Sequence, residues 1–283
     1  EDFDKGLYTG LNLLKNEKGQ SPNCMNIKWN FDGSIQKRLG HSSTNTVQLG
    51  STVLAGWTID GVGDLSTNLQ LFWKLDEVSG ARNDQVGTTN LSDENSVGSV
   101  TGIRGLAADF VLGNSQSLYR ASTSTLEGSG NFTVSCWVYL NDTGNRAIMA
   151  KSVGVSPNFE WRLLLNSARR FQFEVSSSGT IFDGTADATS SGVVNTSTWY
   201  NIVGWHSSNS HVGISVNLSV NTSAYVSGSR AGTAIFTLGG ESANLTAYYG
   251  GRLDDVGKWN RVLSLSNRQD LYGGGTGNTY TSV

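Results

Sequence analysis

Carboxylates are the residues from which catalysis would most readily be built in this chain. Two carboxyl groups about 5 Å apart can cleave a glycosidic bond by the retaining route, and alternate residues on one face of a β-strand supply that spacing. The acidic residues here form no such set. Glu160 and Glu174 stand alone, Asp183 and Asp187 fall in a Gly/Thr-rich stretch that reads as a loop, and the neighbours Asp254 and Asp255 are expected to point to opposite faces of one strand. Nucleophilic catalysis is equally unsupported, because His206 and His211 bracket the polar turn Ser-Ser-Asn-Ser and no Gly-x-Ser-x-Gly elbow is present. No catalytic residue is expected, and the chain reads as a non-enzyme.

Binding is the chemistry that remains. Trp161, Trp205, Tyr248 and Tyr249 stand beside polar loops, where ring faces can stack on sugars while Asn, Asp and Arg bond the hydroxyls. Composition narrows the partners. Charged residues make up 15% of the chain and the net charge is -3, so neither nucleic acid nor an anionic membrane is an expected partner. No apolar run approaches the ~18 residues of a membrane span, so no membrane insertion is expected. The two cysteines, Cys24 and Cys136, rule out a disulfide framework and read as free thiols, Cys136 as a small buried apolar residue.

The elements that must position these groups are strands. With 35 Gly and only 2 Pro, the chain is rich in turns and poor in long helices. The stretch 71–80, Leu-Phe-Trp-Lys-Leu-Asp-Glu-Val-Ser-Gly, alternates Leu71, Trp73 and Leu75 with Phe72, Lys74 and Asp76, and reads as the first strand of a regular body. Further runs of strand character follow at 106–112, 132–140, 146–151, 160–165, 171–175, 199–205, 212–216, 234–238 and 251–259. In 132–140 one face is wholly apolar (Phe132, Val134, Cys136, Val138, Leu140), and the other, with Thr133, Ser135, Trp137 and Tyr139, reads as a solvated or groove side. One helix is expected near the end, capped by Ser264 or Ser266 and stopped by Gly273.

Residues 1–67 differ in character. Met25, Ile27, Trp29 and Phe31 alternate with polar residues and lead into Asp32-Gly33, a β-hairpin signal. A lone hairpin needs its apolar face covered, by the body or by another chain, so these four residues are the candidate assembly surface. Residues 40–67 read as an extended linker or as short pairing strands, with His41 isolated among hydroxyls. The segment Ser-Pro-Asn-Cys-Met-Asn-Ile-Lys-Trp-Asn-Phe-Asp-Gly-Ser-Ile-Gln-Lys-Arg-Leu-Gly resembles one found near the start of tailed-phage virion proteins.

Five motifs of the body carry a second resemblance. Trp-Lys-Leu-Asp-Glu-Val-Ser-Gly (73–80), Gly-Ile-Arg-Gly-Leu-Ala-Ala-Asp-Phe (102–110), Asn-Phe-Thr-Val-Ser-Cys-Trp-Val-Tyr-Leu (131–140), Ser-Thr-Trp-Tyr-Asn-Ile-Val-Gly-Trp (197–205) and the run 250–264 occur in order. Their sequence and spacing resemble laminin-G-like, concanavalin-A-like domains of the kind appended to phage and bacterial surface proteins. The resemblance implies an all-β jelly-roll sandwich of two antiparallel sheets over 68–283, behind an N-terminal arm of 1–67. It places Trp73, Trp137, Trp199 and Trp259 in core strands, and it implies a calcium ion near Asp76, Asp84 and Asp254.

Together these expectations describe a non-enzymatic structural protein of a tailed-phage virion. Its arm would bind other virion proteins, and its outward domain a host-surface glycan or protein, at the virion surface. The alternative is a secreted or cell-surface bacterial module for glycans.

Overall fold

The computed structural model describes residues 65–241 and 248–278 in full and the backbone of four short strands in the leading segment. The chain divides into two compact units, Glu1–Trp57 and Thr58–Val283. In the first, β1 (Leu7–Tyr8) pairs in parallel with β2 (Ser21–Pro22), and β3 (Ile27–Trp29) pairs antiparallel with β4 (Ile35–Lys37). The expected hairpin is thus present as a backbone pairing. Met25, Phe31 and the side chains of Ile27 and Trp29 lie outside the described residues, and so does the assembly surface they were expected to form.

The body begins before residue 68. Leu65 is buried, its carbonyl accepts the Trp259 indole N–H at 2.6 Å, and the Thr67 carbonyl accepts Arg261 Nε at 2.8 Å. These contacts tie 65–67 to the sandwich, so the arm ends earlier than the change in strand character suggests.

In chain order the body's strands are β5 (Leu69–Trp73), β6 (Ser92–Glu94), β7 (Gly98–Thr101), β8 (Leu106–Phe110), β9 (Ser117–Arg120), β10 (Phe132–Leu140), β11 (Arg146–Ser152) and β12 (Phe159–Leu165). They continue with β13 (Phe171–Val175), β14 (Gly184–Asp187), β15 (Trp199–Ser207), β16 (Ser210–Val216), β17 (Ser219–Tyr225), β18 (Phe236–Leu238) and β19 (Gly251–Trp259), before the helix α1 (Leu265–Tyr272). A first sheet of eight strands runs β17-β16-β15-β10-β19-β8-β7, with β5 also on β19, and a second of seven runs β14-β13-β12-β11-β18-β9-β6. All pairs within both are antiparallel, which is the sandwich expected. The strands β6, β7, β9, β14 and β17 carry too little apolar periodicity to be read from sequence. In particular, Asp187 is the last residue of β14 rather than part of a loop.

The core lies between the sheets and takes alternate residues of each strand. Phe132, Val134, Cys136, Val138 and Leu140 all enter it, as do Leu71, Trp73 and Leu75. Trp73 stacks on Phe236 of the facing sheet with ring centroids 5.3 Å apart. Cys136 is a free, buried thiol, and burial pushes its pKa up. Phe72, which interrupts the alternation, has its own destination: with Leu65, Val203, Trp205, Trp259, Leu263 and Leu271 it builds a second apolar cluster. That cluster occupies the outer side of the first sheet, where α1 packs.

Ser264 caps α1 with a reciprocal Asn267 bond, and Gly273 ends it at φ 53°, a left-handed conformation that glycine adopts without strain. The side of β10 expected to be solvated is therefore largely covered. Trp137 is buried and stacks on Tyr272 at 6.0 Å, leaving only Tyr139 half-exposed.

Candidate functional site

The second sheet has a different outer face. One register row crosses all seven of its strands: Ser92, Tyr119, Thr237, Ala150, Arg162, Glu174 and Thr185. At its β6–β9–β18 side a groove of about 160 Å³ is lined by Glu94, Ser117, Tyr119, Ile235, Thr237, Gly240, Glu241 and Tyr248. Period-2 alternation explains how β9 contributes, since Ser117 and Tyr119 face the groove while Leu118 faces the core.

Hydrogen bonds set the polar groups of this groove. Ser117 Oγ donates to Glu94 Oε2 at 2.6 Å, and Thr237 Oγ1 to the Gly240 carbonyl at 2.6 Å. Glu241 is held at both oxygens, by the Ser152 hydroxyl on Oε1 and by Arg162 Nη1 on Oε2 at 2.8 Å. Arg162 also donates from Nε to Glu174 at 2.6 Å and lies 4.2 Å over the Phe182 ring. Two carboxylates thus share one guanidinium, with Glu94 a third along the same groove. Of the residues that line this groove, sequence reasoning found only Tyr248. Glu94, Tyr119 and Glu241 come from short or polar stretches with no apolar period to mark them.

The other aromatic candidates are not surface groups. Trp161 lies on the inner face of β12, fully buried against Phe132 and Phe236, with its indole N–H on the Leu126 carbonyl. Tyr249 is buried and donates to the Tyr139 and Arg252 carbonyls. Trp205 belongs to the second apolar cluster, beneath Arg268 at 4.7 Å, and donates to His211. None of the three offers a ring face to a ligand, because each is spent on packing. Trp199 reverses the expectation in the other direction. Assigned to the core, it is half-exposed on the outer face of the first sheet.

The remaining acidic and histidine candidates are occupied. Glu160 is buried in an ion pair with Lys151, Nζ to Oε1 2.7 Å, and Asp183 accepts from Ser177 and Tyr225. His206 is buried against the Gly130 carbonyl, and burial holds its pKa below the usual imidazole range.

The calcium candidates separate into two places. Asp84 is fully engaged where it stands, taking the Phe72 and Val86 N–H groups on Oδ1 and that of Thr89 on Oδ2. It shapes the 84–90 loop. Asp76 and Asp254 instead meet the same loop, 102–106. Asp76 Oδ1 accepts the Leu106 N–H at 2.7 Å, and Asp254 Oδ2 accepts those of Ile103 and Arg104 at 2.9 and 3.1 Å. Two glycines in the Gly-Ile-Arg-Gly motif make this possible, since a Cβ on Gly102 or Gly105 would stand 2.3 Å from the Asp254 or Asp76 carboxylate.

The cause of this arrangement is a strand handover. Residues 251–253 of β19 pair with β8 and residues 256–259 with β5, while the register against β10 shifts beside Cys136. Asp254 and Asp255 fall between, with Asp255 at φ 45°, and both are buried. Burial, then the charge of Asp255, pushes Asp254 up to about 8. Burial raises Asp255 to about 7, with Arg104 opposing and Asp76 adding. Among the described residues Asp254 Oδ1 has no hydrogen-bond partner. Among the described residues no three His, Cys, Asp or Glu side chains converge as a metal-holding set, and no helix is long and apolar enough to cross a membrane.

Comparison with known proteins agrees with this architecture. The profile of the concanavalin A-like lectin/glucanases superfamily matches residues 112–267. No curated protein matches the chain. Among solved structures, the binding domain of Paraclostridial mosquitocidal protein 1 is similar at 14% identity and TM-score 0.59, over 73% of this chain and 52% of that one. Domain 4 of an extracellular arabinanase from Geobacillus stearothermophilus, in complex with arabinotriose, is similar at 15% identity and TM-score 0.54, over 72% of this chain and 97% of that one. The receptor-binding domain of botulinum neurotoxin mosaic serotype C/D is similar at 12% identity and TM-score 0.57, over 73% of this chain and 51% of that one. This chain therefore spans about half the length of the two toxin domains and nearly all of the arabinanase domain.

Proposed function

Because the chain belongs to the concanavalin A-like lectin/glucanase superfamily, we propose that it is a non-enzymatic binding protein of a tailed-phage virion, held by its leading unit and presenting the groove of its second sheet to a host-surface glycan. The observation that carries the binding role is the groove itself, with the half-exposed Tyr119 and the mostly buried Tyr248 in its lining and the carboxylates Glu94 and Glu241 beside them. The two carboxylates in the lining, Glu94 and Glu241, with Glu241 paired to Arg162, favour a neutral or amino-bearing sugar chain over a sialylated or sulfated one. Hydrolysis is not part of this role. The two carboxylates that line the groove are committed to structural bonds, Glu241 to Ser152 and Arg162 and Glu94 to Ser117, and the proposal gives neither a catalytic part.

The virion placement is supported by the resemblance of residues 21–40 to phage virion segments and by the β3–β4 pairing within them. The same proposal gives the 102–106 loop a structural calcium ion, held by Asp76 and Asp254 and not by Asp84. Support comes from the unpartnered Asp254 Oδ1 and from hard oxygen donors of the kind calcium takes.

One experiment in two arms tests the function. Full-length chain on an array of neutral, amino and anionic glycans should bind the first two classes, and Tyr248→Ala should reduce the signal. Particles expressing a chain without residues 1–57 should then lack the protein. Normal incorporation of the truncated chain, or secretion of the intact chain by cells that make no particles, would replace the virion role with that of a bacterial surface module.

A further inference from the structure

The outer face of the first sheet is covered unevenly. Along β10, Thr133 is bonded to Arg261 and Leu263, and Trp137 lies under Tyr272 with Gly277 against its indole nitrogen. Beyond Trp137 that cover stops. The next row is read from the register: Tyr139 faces Trp199 on β15 and Arg252 on β19, and Arg252 faces Asp109 on β8. Four side chains on four adjacent strands form a strip about 14 Å long, at about 4.8 Å per strand. All four are half-exposed.

Their chemistry is that of a surface with unspent capacity. The Tyr139 and Trp199 rings pack with centroids 5.4 Å apart, and the Arg252 guanidinium lies 4.5 Å over Tyr139. Trp73, Trp161, Trp205 and Trp259 each donate their indole N–H to a partner within the protein. Trp199 and the buried Trp137 have no such partner among the described residues, and of the two only Trp199 is half-exposed. Arg252 Nε is buried and stands 3.8 Å from Asp109 Oδ1, too far for a hydrogen bond, so the half-exposed Arg252 and Asp109 side chains lie side by side without satisfying each other.

We propose that Trp199, Tyr139, Arg252 and Asp109 form a second ligand site, a flat platform for a neutral glycan chain on the side of the sandwich opposite the groove. The indole face takes the C–H side of a sugar ring, and the Arg252–Asp109 pair bonds adjacent hydroxyls. The two charges cancel, which removes any preference for an anionic sugar. A protein partner fits less well, because a standard interface needs about 800 Å² per side with a buried core, and this strip is one side chain wide. Two sites on opposite faces would let one copy bridge neighbouring glycan chains, raising avidity without new contacts.

The test uses the full chain with cellohexaose, mannohexaose and arabinohexaose as neutral probes and a heparin-derived hexasaccharide as the anionic arm, read by calorimetry. At least one neutral probe should bind. Trp199→Ala should weaken platform binding about tenfold, the scale of one lost aromatic stack, at an unchanged melting temperature. Trp199→Phe should restore part of the loss. The Trp199 variants are also read in a Tyr248→Ala background, where groove binding is already reduced, so that a further tenfold loss there reports the platform alone and supports it even if the groove binds nothing. Binding indifferent to Trp199→Ala, binding of the anionic probe alone, or no binding of any neutral probe would overturn the proposal.

Discussion

The two outer faces of this sandwich start from the same strand periodicity and end in opposite states. On the second sheet the outward residues are polar and ion-paired, Glu174 and Glu241 buried against Arg162, with Arg162 and Tyr119 half-exposed. On the first they are apolar and sealed, with Phe72, Trp205 and Trp259 under Leu263 and Leu271. The difference lies in the path of the chain after β19. A capped helix that returns across the first sheet turns its outer face into a second core, and no helix is available to the other sheet among the described residues. The apolar cluster under α1 thus lies on one side and the proposed groove on the other, with the uncovered strip around Trp199 as the exception.

The largest test of that contrast is Trp259→Ala. This side chain is fully buried and bonded to Leu65, so its removal should cost about 3–5 kcal/mol in urea denaturation. Tyr119→Ala on the open face should stay within about 0.5 kcal/mol. Equal costs would show that the helix-covered cluster is no second core.

Asp254, at the strand handover, should give an intermediate effect. Asp254→Ala leaves two loop N–H groups without an acceptor, a loss of about 1–3 kcal/mol. The pH dependence is specific. A carboxyl held at about 8 in the fold, against an ordinary 3.8, binds its proton more tightly folded than unfolded. Its stabilising contribution is full below about 4 and is lost as pH rises toward 8. Asp255, raised to about 7, acts in the same sense. Melting temperature should therefore fall between pH 5 and pH 8, and Asp254→Asn should flatten that fall. Calcium at pH 8 should restore the loss in the native chain and not in Asp254→Asn; a melting curve indifferent to both calcium and chelator would leave the two aspartates as loop anchors alone.

The smallest effect separates the two surface arginines. Arg252→Gln breaks only a half-exposed pair at 3.8 Å, worth about 0–1 kcal/mol. Arg162→Gln removes the shared partner of Glu174 and the mostly buried Glu241, and should cost about 1–3 kcal/mol. A reversed order would mean that the Arg252 strip is rigid structure rather than open platform.

Strand periodicity was legible wherever one face is continuously apolar. The strands at 132–140, 171–175 and 251–259 have the bounds their alternation suggests, and Ser264 and Gly273 mark the ends of α1 through their own capping chemistry. The sandwich follows from local pattern of this kind. Which aromatic residues face water did not, because an outward position on a strand is exposed only if nothing later in the chain returns to cover it. Trp205 and Trp199 lie on one strand and one face, yet α1 closes over the first and stops short of the second. The groove was hidden for the same reason. Its walls come from β6, β9 and β18 together with Glu241 and Tyr248, residues scattered from 94 to 248 along the chain and neighbours only in the folded sheet. Asp254 shows the limit most sharply: its strand was read correctly, but its burial and raised pKa arise from two other strands sharing one edge of β19, an arrangement made by long-range pairing and absent from any local pattern.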